Sequence, residues 1–226
     1  MAAKPKQQPH LDRIRAQLLS AALPLAPFEG WSAHTLNEAA ASAGLDPGAV
    51  ELACPRGVLD VLAYWSARSD RTMVAALEQA GPGAMRVRER VTFAVQQRLA
   101  AIGAQNREAA SRAAARLAMP DALITAKQLL WQSADAIWRA LGDRSTDYNY
   151  YTKRAILSGV LGSTLMVWLD GDEQRTAAFL DRRIENVMAF ERFKGRVRKA
   201  RARWPDPVKV LSRLRYGTGR ARPRRM

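Results

Sequence analysis

The chain has 226 residues, with 36 Lys and Arg against 21 Asp and Glu and a formal charge of +15. That length admits one large domain, or a small domain fused to a larger one. A single cysteine, Cys54, excludes an internal disulfide framework and a cysteine-built metal site, and His10 and His34 are too few for a histidine-rich centre. From Arg192 onward fourteen basic residues face one acid, Asp206, so residues 1–191 are close to neutral. A polyanionic partner, such as an acidic membrane or a nucleic acid, is therefore expected for the tail and not for the body.

Residues 1–9, rich in Lys, Gln and Pro, read as a disordered leader. The first fifteen residues show neither a signal-peptide apolar core nor the Ser/Arg-rich amphipathic character of a transit sequence. The placement expected from them is cytoplasmic, of bacterial type, peripheral on the inner membrane. A first helix spans about His10 to Leu23, with Leu11, Ile14, Leu18 and Leu19 at helical spacing, and Pro24 stops it. A second follows a cap at His34 or Thr35 and ends at Gly44, which suits a left-handed helix terminus. Asp46 caps a third, with Pro47 at its first position. Three helices with a glycine turn between the second and third make a helix-turn-helix.

Longer helices are predicted over Arg56 to Gln79, Arg86 to Gly103, Asn106 to Ala118, Met119 to Leu141, Thr146 or Asp147 to Leu169, and Glu173 to Arg203. No segment alternates as a half-buried strand does, so the fold class is all-α. No window reaches the roughly eighteen uncharged apolar residues of a membrane-crossing helix. The domain organisation expected is 1–9 leader, 10–55 helix-turn-helix module, 56–204 larger helical domain, and 205–226 basic amphipathic tail.

Residues 35–60, with Thr35, Glu38, Ala40, Ala43-Gly44, Pro47-Gly48 and Pro55, resemble the DNA-binding module of TetR-type regulators. That resemblance implies a TetR-like helical fold with a larger C-terminal ligand-binding domain. It does not carry the DNA-binding function over, because a recognition helix must meet phosphates and base edges from its first turn. Here Asp46 and Glu51 stand at those places, with no Arg or Lys between Asp46 and Cys54. No specific DNA is expected. A ligand-responsive TetR-type regulator remains the alternative reading.

Residues 131–170 are similar to the signature region of the ubiquinone-biosynthesis Coq-nine family, above all in Gly142–Arg154 and in the run from Leu157 to Asp170. The resemblance implies a non-catalytic homodimer that binds isoprenoid quinone precursors or phospholipid. Such a protein presents its lipid to the di-iron demethoxyubiquinone hydroxylase at a membrane. It also implies a partner-contact patch at Asp147, Tyr150, Tyr151, Lys153 and Arg154. Read from the residues alone, that segment is equally a capped helix with a tyrosine anchoring a loop. Adjacent tyrosines on a helix point about 100° apart, so one of them is expected at the surface.

The helix from Ile156 to Leu169 is apolar almost all round and is expected to be enclosed by neighbours. With the preceding helix it yields a candidate lipid pocket: Leu130, Ala134, Ile137, Trp138, Val160, Leu161, Thr164, Leu165 and Trp168. An ordinary core or a dimer seam explains the same pattern. In the tail, Val208, Leu211 and Leu214 share a helical face flanked by Lys209, Arg213 and Arg215, and Tyr216 closes it. That reads as a short, salt-sensitive membrane anchor, or as a solvated or RNA-binding tail. No nucleophile elbow, phosphate loop, dinucleotide fingerprint or metal-binding His-Glu pattern occurs. No catalytic residue, metal or cofactor is expected.

Overall fold

The computed structural model describes residues 9–81, 85–143 and 148–187. Every regular element among them is helical, which establishes the all-α class and is consistent with a TetR-like fold. Helix α1 (Pro9–Ala22) buries Ile14, Leu18 and Ala22, one turn apart, against α3, α4 and α5. After it comes a one-turn helix, α2 (Ala26–Glu29), that the sequence did not signal. Trp31 follows, 4% exposed, stacked 5.7 Å from Trp65 and donating its indole N–H to the Ala109 carbonyl at 2.9 Å.

Helix α3 (Ala33–Ser42) is capped by Ser32, not by His34 or Thr35. Ser32 has an extended backbone, and its Oγ accepts the Thr35 N–H at 3.1 Å. Thr35 is already the third residue of the helix, and its buried hydroxyl donates back to the Gly30 carbonyl at 2.9 Å. Gly44, at φ +63°, turns the chain into α4 (Pro47–Ala53), where Asp46 accepts the Ala49 N–H at 2.8 Å as the sequence suggests.

The body comprises α5 (Val58–Ala80), α6 (Val87–Ile102), a short 3₁₀ turn (Ala104–Asn106), α7 (Arg107–Leu117), α8 (Leu123–Ala140), α9 (Tyr148–Leu169) and α10, residues 173–187. Helix α8 starts four residues later than predicted. Pro120 has no N–H to continue a helix, and Arg116 holds the intervening turn through a two-pronged contact with Asp121 at 2.7 and 3.1 Å. Asp172 caps α10 by accepting the Arg175 N–H at 2.8 Å. Helix α5 runs between α6 and α8, and α9 lies on α8. Because α1 also packs on α5, the helix-turn-helix is continuous with the body. The first compact unit is Met1–Ile184. Of the second, only residues 185–187 are described.

The expectation that α9 is enclosed is corrected. Leu157, Val160, Leu161, Thr164 and Trp168 are buried, but Tyr151 is 62% and Met166 57% exposed, with Ala155 and Gly159 on the outer side. An all-round apolar pattern also arises when one face is left for another molecule.

Cys54 ends α4 in the core, and burial pushes its thiol from 9.0 up to about 11. The folded state therefore holds a proton that the unfolded chain gives up earlier, so this group's stabilisation is complete below pH 9 and is lost as pH rises toward 11. Alkylation of the native protein by iodoacetamide at pH 8 is expected to run at least tenfold slower than in denaturant. Equal rates would contradict the buried, protonated state.

Candidate functional site

Five helices line a slot of about 380 Å³ that is open to solvent beside Leu123 and Met166. Leu62, Trp65, Ser66 and Ser69 come from α5, Arg98 and Ile102 from α6, and Ala110, Ala113, Ala114 and Leu117 from α7. Helix α8 supplies Leu123, Ala126, Leu129 and Leu130, and α9 supplies Gly162, Leu165 and Met166. The wall is apolar apart from two serines and one arginine, the composition of a site for an apolar ligand. Alanines make the room on α7: larger side chains there would close the space against α8. At Gly162 a side chain would meet Leu130 Cδ1 at 3.3 Å, so glycine keeps α9 close to α8 at the slot's edge.

Of the nine pocket residues predicted from sequence, Leu130 and Leu165 line this slot. Ala134, Ile137, Val160, Leu161 and Thr164 are instead packed into the core. Trp138 is engaged elsewhere: its indole N–H donates to the Lys153 carbonyl at 3.2 Å, and Lys153 Nζ lies 5.3 Å from its ring. Trp168 stacks under Arg107 at 4.7 Å and borders a separate, more polar hollow with Gln96 and Glu173. The physical reason is rotational. The slot is bounded by α5, α6 and α7 as well as by α8 and α9, and the predicted residues lie mostly on the α8–α9 seam. The α7 wall was missed because Ala109-Ala110 and Ala113–Ala115 read simply as good helix formers. Small residues recurring one turn apart were its only local signal.

The second feature lies at the start of α9. Tyr150 and Tyr151 meet edge to face at 5.1 Å, and Trp131 of α8 sits 6.5 and 6.2 Å from them. Tyr151 is exposed and Tyr150 half-buried, as adjacency on a helix requires. Trp131 completes the cluster although the sequence did not single it out as a site residue. Lys153 is half-exposed and pairs with Asp143 at 2.8 Å. Asp147 lies outside the described residues, as does the whole predicted anchor from Val208 to Tyr216.

Arg154 is corrected from surface contact to buried support. It is 1% exposed, with Nε 2.7 Å from Asp135 and Nη1 3.3 Å from Asp143 and 3.2 Å from the Tyr150 carbonyl. The Tyr150 ring lies 3.5 Å from its guanidinium carbon. Burial opposes the charge, but the bond to Asp135 and the neighbouring negative groups outweigh it, so the guanidinium's pKa is raised. Asp135 also holds Arg139 at 2.8 Å. These ion pairs tie α9 to α8 and to the loop before α9, and they seat the tyrosines.

On α4 the outward residues Asp46, Pro47, Gly48, Glu51 and Leu52 carry two acids and no base, which repels a phosphate backbone. Glu29, His34 and Glu38 come within 4.8 Å of one another, yet all are exposed, and His34–Glu38 is an i,i+4 surface pair at 3.7 Å. Among the described residues no helix is long and apolar enough to cross a membrane.

Residues 123–191 match the COQ9 family model, and so cover α8, α9 and α10. The chain carries a COQ9 domain. Over 186 residues it is 31% identical to the ubiquinone biosynthesis protein COQ9 of Rattus norvegicus, covering 78% of this chain and 59% of that one. The Homo sapiens protein is 28% identical, covering 78% and 58%, and the Drosophila melanogaster protein is 28% identical, covering 82% and 58%. The chain thus spans about three fifths of the length of the curated relatives it matches. The COQ9 resemblance read from residues 131–170 is thereby established. The COQ9 match takes in the aromatic cluster, Arg154 and the α8–α9 side of the slot, while the α5–α7 wall lies before it.

One expectation is overturned. These relatives are mitochondrial proteins, which contradicts the bacterial-type cytoplasmic placement. That placement rested on the composition of fifteen terminal residues, and the ends of a chain shorter than its COQ9 relatives cannot bear such an argument.

Proposed function

We propose that this chain is a non-catalytic accessory protein of ubiquinone biosynthesis. It holds an isoprenoid quinone precursor, or a phospholipid, in the α5–α9 slot and docks on the di-iron hydroxylase that acts on that precursor. The observation carrying the reading is the apolar slot of about 380 Å³ in a chain with a COQ9 domain. An isoprenoid tail gains roughly 0.8 kcal/mol for each CH₂ moved from water into such a wall.

The docking surface is the aromatic cluster of exposed Tyr151 with half-buried Trp131 and Tyr150, since aromatic side chains dominate binding energy at protein interfaces. The uncovered face of α9 also admits a second copy of the chain, so a homodimer is part of the proposal. The basic C-terminal segment is proposed as a salt-sensitive attachment to an acidic membrane, where each cation contributes about 1 kcal/mol. Acidic residues on α4 weigh against the regulator alternative.

Titration of the purified hydroxylase against this chain tests the docking. Tyr151→Ala is expected to weaken binding at least tenfold while leaving thermal stability unchanged, because Tyr151 is exposed. Tyr150→Ala should weaken binding and also lower stability, because its ring covers Arg154. Unchanged binding by the Tyr151 variant would remove the patch from the proposal.

A further inference from the structure

The polar spot in the slot has a specific electrical character. Arg98 is 7% exposed and pairs with Asp70 of α5, Nε to Oδ1 at 2.7 Å. The same Nε contacts Ser133 Oγ at 3.1 Å, and Ser133 Oγ donates to the second oxygen of Asp70 at 3.0 Å. Both carboxylate oxygens are thus engaged, and Asp70 itself is not part of the lining. Arg98 Nη2 donates to Ser66 Oγ at 2.9 Å, while Nη1 takes no partner among the described residues. A guanidinium has five N–H donors and no acceptor, and Ser66, accepting from Arg98, keeps its own proton to give. Arg98 and Ser66 both face the slot.

We infer that Arg98 and Ser66 form a headgroup seat, donor-rich and charge-compensated, that selects a neutral oxygenated lipid over both a hydrocarbon and an anion. This rests on the lipid-pocket reading above and deepens it. A carbonyl or ether oxygen, such as a quinone ring carries, accepts from the spare N–H and O–H groups. A hydrocarbon leaves those donors unmet in a dry wall, which is costly. A carboxylate or phosphate gains less than it would from a lone arginine, because Asp70 already neutralises Arg98 and stands behind it with the same sign. The seat therefore fixes which end of an amphiphile enters: the oxygenated head lies at Arg98, and the chain extends along the alanine wall of α7 toward exposed Leu123 and Met166.

The test uses the full chain and three ligands of similar chain length: decylbenzoquinone, decylbenzene and laurate, each titrated by calorimetry. The expected order is quinone tightest, by about tenfold or more over the hydrocarbon, with laurate weaker than the quinone. Ser66→Ala should narrow the quinone preference without changing hydrocarbon affinity. Asp70→Asn keeps the side chain's shape and uncovers the arginine's charge, so it should raise laurate affinity several-fold relative to quinone. Equal binding of quinone and hydrocarbon by the native chain overturns the seat and leaves the lipid pocket standing. Laurate binding as tightly as the quinone, or an Asp70→Asn chain that folds with its ligand order unchanged, overturns the charge compensation. Failure of all three ligands to bind overturns both the seat and the pocket. If Asp70→Asn does not fold, the native ligand order decides alone.

Discussion

Arg154→Met will lower the free energy of unfolding by about 3 kcal/mol, because removing the buried partner leaves Asp135 and Asp143 with only the more exposed Arg139 and Lys153. Arg154 and Asp143 have side chains 2% and 8% exposed, and Asp135, at 18%, is only slightly more open. Water therefore cannot take over the arginine's role. For a chain of this size the loss corresponds to roughly 10 °C or more in melting temperature. Arg154→Lys keeps the charge but not the planar fork that reaches both acids, so it should fall between the native chain and the methionine variant. Hydroxylase binding should fall with stability in both variants, since Tyr150 rests on the guanidinium. Chemical denaturation followed by circular dichroism checks this. A loss below about 1 kcal/mol, the range of a surface pair, would contradict the buried-support role.

The second large effect is expected inside the slot. Ala114→Trp and Ala126→Trp each place an indole into space that the alanines leave open, from α7 and α8 respectively. Affinity for a farnesyl-chain lipid should fall at least tenfold, because the added ring displaces several CH₂ groups, each contributing roughly 0.8 kcal/mol. Both positions are only partly buried, so the cost in stability should stay within the 1–3 kcal/mol typical of mild overpacking. Ala134→Trp is the control. Ala134 is 0% exposed and lies outside the slot, so there the indole should damage folding and not compete with lipid. Titration with a fluorescent farnesyl lipid alongside thermal melts separates the two behaviours. Undiminished affinity in both slot variants would place the lipid elsewhere.

What the sequence revealed was mostly local. Gly44, Asp46 and Pro47 each act within one turn of chain, so the α3–α4 turn was readable from type and spacing. The one-turn α2 was not, since Leu25 makes no side-chain cap and four residues carry no period. Ser32 as cap was hidden because Thr35 is an equally good cap by residue type, and nothing local marks Ala33 as the first helical residue. Arg154 read as a surface charge because its partners lie nineteen and eleven residues back in the chain. The slot's two wings had different fates. Leu130 and Leu165 were found, since apolar periodicity marks inward faces. The α7 wall was missed, since periodicity cannot say which neighbour an inward face meets.

Native mass spectrometry of the purified chain, with organic extraction and identification of whatever accompanies it, shows whether the slot carries a lipid. An isoprenoid quinone precursor or phospholipid is expected at near one per chain, bound either from the host or after incubation with precursor, and lost in Ala114→Trp. A native chain that stays lipid-free after incubation, or that carries lipid undiminished by the slot-filling substitution, would contradict lipid binding in the slot.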